Sequence, residues 1–193
     1  MPLAADDTLG SYEILTRSAK AEDALAIASV HVGAWKAAYR GIVSDEFLDS
    51  LSLEQRSAAW KRILLADPPE DVWVALAGDN IVGWISAAAS RDPDAKPLTG
   101  EIWALYVAPA YWRMGVGRFL CRGAERRLLE RGFIEVTLWV LKDNRSAQDF
   151  YHSVGFIADP QFEKTIVWAE AELQEIRMRK PLGGLVRPSV RTS

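Results

Sequence analysis

The 193-residue sequence has one cysteine, Cys121, and two histidines, His31 and His152. That scarcity excludes a disulfide framework and a cysteine-based zinc site, and it leaves too few ligands for a histidine-rich metal centre. Long hydrophobic runs are missing too: no stretch approaches the roughly 20 apolar residues that cross a bilayer. Residues 1–12 have neither the basic nor the apolar region of a secretory signal, so a cytoplasmic protein without a membrane partner is expected. Charge of one sign is not in excess. With 23 Lys and Arg against 26 Asp and Glu, the net charge is −3. Nothing in that balance draws the protein to nucleic acid, so any anion site must be local. Repeats and low-complexity tracts are also absent.

What is present fits a globular protein, 49% hydrophobic and 25% charged. One domain over residues 12–181 is expected, with loose tails at 1–11 and 182–193. Such a chain buries roughly 70% of its unfolded surface. Ala24, Ile27, Ala28, His31, Trp35 and Ala38 recur at helical spacing, which predicts a helix over 20–39. Ser44 opens a short helix, and Ser52 with Gln55 opens another over 52–65, stopped by Asp67-Pro68-Pro69. Residues 71–77 and 81–90 read as a hairpin across Gly78-Asp79-Asn80. Beyond a polar loop at 91–99, Glu101–Val107 is apolar on both faces, as in a central strand. Then follow a helix at 115–131, a strand at 133–141, a helix at 144–154 capped by Asn144 and Gly155, and strands at 156–168 and 173–180. This order predicts an α/β sandwich with helices on both faces of the sheet.

The segment Pro109-Ala110-Tyr111-Trp112-Arg113-Met114-Gly115-Val116-Gly117-Arg118 stands between the apolar strand and a helix. Gly115 and Gly117 lack a Cβ, so the backbone there can approach a ligand closely. The opening helix presents unpaired N–H groups and its positive dipole end to an anion. A plain turn accounts for a lone G-x-G equally well. A P-loop requires G-x-x-x-x-G-K-[ST], which does not occur. A dinucleotide fingerprint requires a glycine where Leu120 stands, and its acidic partner would be Glu135, at the wrong end of the next strand. The pyrophosphate of coenzyme A is a third reading, which only the wider context can decide.

The wider context carries a resemblance. Glu101-Ile-Trp-Ala-Leu-Tyr-Val107, Pro109, Tyr111, Gly115-Val-Gly117 and Leu120 resemble the acetyl-CoA motif of the GNAT superfamily of N-acetyltransferases. Asn144-Arg-Ser-Ala147-Gln-Asp-Phe150-Tyr151 with Gly155-Phe156 resembles its second CoA-contacting segment, and Glu175–Lys180 its last strand. Trp112 departs from the pattern, standing where the family often has Arg or Gln. The resemblance implies a mixed, mostly antiparallel sheet of about seven strands, helices on both faces, and a splayed central pair. It implies acetyl-CoA as co-substrate and no metal. Pantetheine is then expected along Leu105, Tyr106 and Val107. The phosphates fall to Arg113, Met114, Gly115, Val116, Gly117 and Arg118, and further cofactor contacts to Asn144, Ala147 and Phe150.

Two proton problems follow. An amine with pKa near 10.4 is mostly protonated at neutral pH, and freeing it costs roughly 4.6 kcal/mol. The resemblance offers Glu101 as the base, although an acid at an exposed strand end is the plainer alternative. It offers Tyr151 as the acid that protonates the leaving thiolate, against a plain aromatic packed with Ala147 and Val154. For the acceptor, His31, Trp35 and Tyr39 form one row along the first helix, with Asp45 and Glu46 following. Such a row either packs on the sheet or walls a site for a small amine cation, such as a polyamine, an amino-acid derivative or an aminated drug. Rival readings are a protein lysine or N-terminal acetyltransferase and a non-catalytic acyl-CoA-binding regulatory module. A homodimer through the late strands, using Ile166-Val167-Trp168, is a further expectation. Cys121 reads as a small buried residue rather than a nucleophile.

Overall fold

The 20–39 periodicity gives a 3-10 turn, Ala21–Asp23, running into α1 (Ala24–Ala38), whose Ile27, Ala28 and Val30 are buried. A computed structural model describes residues 8–9, 12–66, 71–168 and 171–183. The rest of the expected tails, residues 1–7, 10–11 and 184–193, and the predicted stop at 67–69 lie outside the described residues. Ser44 Oγ accepts from the Phe47 N–H to cap α2 (Asp45–Ser50), and Ser52 Oγ accepts from Gln55 to cap α3 (Leu53–Leu64). The strands are β1 (Thr8–Leu9), β2 (Tyr12–Ser18), β3 (Val72–Ala77), β4 (Asn80–Ala89), β5 (Thr99–Val107), β6 (Glu135–Leu141), β7 (Ile157–Trp168) and β8 (Ala171–Pro181). The later helices are α4 (Val116–Glu130) and α5 (Arg145–Ser153).

The strands form one sheet in the order β1-β2-β3-β4-β5-β6-β8-β7. Every neighbouring pair is antiparallel except β5–β6. Seven strands have substantial length, because β1 is a two-residue extension paired with Tyr12 and Glu13. The N-terminal tail therefore contributes to the sheet at residues 8–9, and Leu182, placed in the other tail by the sequence, is buried with its N–H donated to Ile134 O. On one face α1 and α3 pack Ile27, Ala28 and Trp60 against Val72, Val74 and Trp84. On the other, α4 and α5 cover Ile85, Ile102, Val136, Leu138 and Met178 with Leu120, Leu128, Tyr151 and Val154.

Two irregularities shape the centre. The β4–β5 register shifts after Ser86↔Ala104 to Ala87↔Ile102, so Trp103 is an extra residue on β5. Parallel pairing of β5 with β6 runs only from Thr99↔Glu135 to Ile102↔Leu138. Beyond it the two strands separate. The Ala108 N–H donates to Val82 O, and Trp84 lies opposite Tyr106. By the alternation of an antiparallel ladder, Tyr106 bonds to β4 through its own peptide groups, while those of Leu105 and Val107 point away from β4 into the gap. Tyr106 is thus removed from the expected pantetheine-pairing set.

The 91–99 loop is tied down through its first residues, Arg91, Asp92 and Asp94. Glu101 accepts from the Arg91 N–H at 2.8 Å and from its guanidinium at 3.0 Å. Arg177 on β8 is buried and reaches Asp92, Asp94 and Asp159 at 3.2, 2.8 and 3.2 Å, with its guanidinium 3.4 Å from the centre of the Phe162 ring. Removing one partner of a buried pair leaves uncompensated charge, at a cost of about 3–5 kcal/mol. Arg177→Ala is expected to lower stability by about 3 kcal/mol in urea denaturation, because three carboxylates lose their shared cation; a change below the usual surface-mutation scale of about 0.5 kcal/mol would show that the cluster is solvated.

Candidate active site

Pro109–Tyr111 makes a 3-10 turn after β5, and Gly115 caps α4 in the left-handed region at φ +84°. A side chain there would be strained, which is the local reason for glycine. The first helical bond is Phe119 N–H to Gly115 O, so the N–H groups just ahead of it have no partner within the helix. Gly117 has a different reason from the one its motif suggests. A Cβ on it would stand 3.0–3.2 Å from the Phe150 ring, so its lack of a side chain lets α5 pack closely on the loop.

Two cavities open beside the separated strands. The larger, about 590 Å³, is walled by Tyr111, Trp112, Arg113 and Gly117 of the loop and by Asn144, Ser146, Ala147, Asp149 and Phe150 of α5. The smaller, about 370 Å³, is walled by Tyr39, Tyr106, Trp139, Trp168 and Glu175. Leu105, Val107, Trp112, Asn144, Ala147 and Tyr151 line both, so these residues mark the junction. Asn144 Oδ1 accepts from the Ala147 N–H, leaving its amide NH₂ for a ligand. Tyr151 is buried, which pushes its phenol pKa above the ordinary value, with Cys121 and Tyr106 adding to the rise. The phenol is therefore protonated at neutral pH. Cys121 is wholly buried on α4, its thiol pushed up to about 12 by burial and then by Glu125, and it has no nucleophile character.

Residues 35–156 match the acetyltransferase (GNAT) family. The chain belongs to that family. It is 33% identical over 154 residues to the uncharacterized N-acetyltransferase YuaI of Bacillus subtilis (strain 168), covering 78% of this chain and 85% of that protein. It is 26% identical over 144 residues to the spermidine N(1)-acetyltransferase of Thermoplasma acidophilum, covering 72% of this chain and 86% of that one. The PaiA N-acetyltransferase of T. acidophilum, solved with coenzyme A, matches the fold with a TM-score of 0.64 over 88% of this chain and 99% of that one, at 23% identity. The protein is a GNAT acetyltransferase that uses acetyl-CoA. Its residues fit that co-substrate, because the half-buried open edge of β5 turns the peptide groups of Leu105 and Val107 into the gap and the α4 terminus beside Arg113 suits an anion.

Within this GNAT fold the expected cofactor contacts divide. Arg113, Gly117, Asn144, Ala147 and Phe150 line the larger cavity with Leu105 and Val107. Met114 and Gly115 form the turn behind it, and the Val116 side chain is buried in the core. Arg118 instead donates to Ser153 O at 3.2 Å and Ser153 Oγ at 3.4 Å, tying α4 to the end of α5.

The acceptor side needs more correction. Glu101 lines neither cavity; its carboxylate is spent on Arg91 and the 91–99 loop, so it is not placed to act as the base. His31 and Trp35 are core residues, and of their row only Tyr39 reaches a cavity wall. His31 accepts from Trp60 Nε1 at 3.2 Å through Nδ1 and stacks on Tyr106 with 4.8 Å between ring centres. Trp35 packs edge-on against Trp168 at 4.2 Å. Asp45 pairs with Arg40 at 3.3 Å and lines no cavity. The carboxylate that does face the smaller cavity is Glu175 on β8, which the sequence reading passed over. Alternation along that strand puts Leu173, Glu175 and Arg177 on one face, and this was the available signal.

Two outcomes test these placements. Gly117→Val is expected to displace Phe150 and so weaken the rise in melting temperature that acetyl-CoA gives the wild type by mass action. An unchanged shift would separate Phe150 from the cofactor wall. Burial, then Arg56, lowers the His31 pKa to about 3, against about 6.5 when unfolded. Stability from the neutral imidazole is complete above pH 6.5 and is lost as pH falls towards 3, at up to about 1.4 kcal/mol per pH unit, because only the unfolded chain takes up the proton. Urea unfolding of His31→Gln between pH 4 and 7 should show a shallower pH slope than the wild type; equal slopes would mean that His31 titrates normally when folded.

Proposed function

We propose that the protein acetylates the primary amine of a small molecule bound in the smaller cavity, with Glu175 as the amine-facing carboxylate and Tyr151 as the acid. The observation that carries the proposal is a carboxylate enclosed with Tyr39, Tyr106, Trp139 and Trp168, across Tyr151 from the phosphate loop. Aromatic faces attract a cation by about 0.5–2 kcal/mol, and a carboxylate adds charge pairing. Glu175 already holds one cation in this manner: Lys164 Nζ lies 3.3 Å from its carboxylate and 4.0 Å from the centre of the Trp139 ring.

Acetyl-CoA supplies the acyl group as a thioester. The chain's own groups do the rest. Glu175, directly or through one water, takes the proton that keeps the amine from attacking. The N–H groups of Leu105 and Val107, aimed into the gap, face the thioester oxygen and hold its developing negative charge. Tyr151, protonated and standing at the junction, donates to the departing sulfur. A lysine on a folded protein would have to reach a cavity walled by Tyr39, Ile166 and Trp168, which favours a small acceptor.

A panel of small amines and lysine peptides, read by thiol release, tests the substrate class; turnover confined to peptides would overturn it. Glu175→Gln should lower kcat/KM for the amine by about 10²-fold and move the optimum to higher pH, where more amine is already neutral. Glu101→Gln should leave that profile in place. Tyr151→Phe should lower kcat by about 10²-fold with little change in the KM for acetyl-CoA.

A further inference from the structure

Trp112 is where this chain departs from its family's loop pattern, and its indole has a definite partner. Nε1–H donates to Val107 O at 2.7 Å. Strand alternation directs that carbonyl into the gap between β5 and β6. The indole also lines both cavities, so it stands in the passage that joins them. It is 40% exposed, held by this one bond on the outer side of the loop rather than locked in the core. The next residue, Arg113, has a left-handed backbone at φ +60°, so the chain turns directly after Trp112.

A pantetheine arm reaching from the phosphate loop to Tyr151 must run along the open edge of β5. Its amide N–H groups need acceptors there, and the carbonyls of Leu105 and Val107 are the ones that edge offers. We infer that Trp112 is a gate on the cofactor channel: in the free enzyme its indole occupies the Val107 carbonyl, and coenzyme A binds by displacing it. The indole N–H then returns to water, which its exposure permits, and the carbonyl exchanges one donor for another. The exchange satisfies Val107 in both states while keeping the passage covered when no cofactor is present. This inference rests on the cofactor lying in the β5–β6 gap.

The consequence is that the native tryptophan weakens cofactor binding. Trp112→Phe keeps an aromatic ring but removes the donor, and Trp112→Ala removes the ring as well. Titration calorimetry with coenzyme A is expected to show Trp112→Phe binding about two- to tenfold tighter than wild type, the worth of one net hydrogen bond. The KM for acetyl-CoA should fall by a similar factor. Stopped-flow association should be faster in Trp112→Ala, because the passage no longer has to open. Equal or weaker binding of coenzyme A by Trp112→Phe would overturn the gate and make the indole a supporting contact. Failure of wild type itself to bind would instead remove the cofactor from the gap, whereas binding that ignores Gly117→Val would only separate Phe150 from the cofactor wall.

Discussion

Two parallel strands that pair for four residues and then separate leave peptide groups that a sheet interior does not tolerate unpaired. The separation of β5 from β6 after Ile102 and Leu138 is the constraint on which the site depends. The extra residue at Trp103 changes the direction of β5 just where pairing ends, as a bulge does. Leu105 and Val107 then present their N–H and C=O groups to a gap, while Tyr106 between them stays bonded to β4. One strand thus serves as structure on one side and as binding surface on the other. The α4 terminus lies at the end of the same strand, which gives a cofactor with a charged end and an amide-bearing arm a continuous track.

Charge is distributed to hold that geometry. Glu101 and Arg177 both act on the 91–99 loop, one through Arg91 and the other through Asp92 and Asp94. Asp92 also accepts from Trp139 Nε1 at 2.9 Å, and Trp139 is a wall of the smaller cavity. The loop therefore reaches the acceptor side through one indole instead of lining it. Beneath the opposite wall, His31, Trp35, Trp60 and Trp84 make a neutral aromatic layer against Tyr106. Burial keeps His31 uncharged, so its ring adds no charge to that layer.

Much of the fold was legible in the sequence because the relevant signals are local. Capping by Ser44, Ser52 and Asn144 lies within two residues of where it was expected, and the apolar Glu101–Val107 run is the central strand. The walls of the larger cavity come largely from two contiguous motifs, the loop after β5 and the start of α5. The walls of the smaller cavity, the proposed acceptor side, come from α1, β5, β6, β7 and β8, brought together only by strand order. A helical row such as His31, Trp35 and Tyr39 has the same spacing whether it faces core or cavity. Only Tyr39, at the end of α1 where the sheet surface falls away, had room to reach a wall. Glu101 and Glu175 are both strand carboxylates on the side of the sheet that α1 covers. Arg91 of the adjoining loop holds the first away from both cavities, while the second, paired with Lys164 of β7, stays on a cavity wall, a distinction that no sequence window contains.

In the role proposed for it, Tyr151 poses a question of acidity. Burial raises the phenol above its ordinary pKa of about 10, which taken alone makes it a poor acid for a thiolate whose conjugate thiol is near 8.5. The same burial acts on the sulfur. A thiolate formed in that environment loses its hydration as a phenolate would, so both pKa values rise together and the gap between them changes little. What the site supplies is a donor that is always protonated and has one position in which to stand, at the junction of the two cavities. As the sulfur leaves it takes the phenol's proton, and the nitrogen of the tetrahedral adduct, made acidic by acylation, gives its own proton to the phenolate, while the proton that Glu175 took from the ammonium passes to solvent. Tyr151 then ends the turnover in the state in which it began. A buried phenol suits that task better than an exposed one, because its proton is not lost to solvent between cycles.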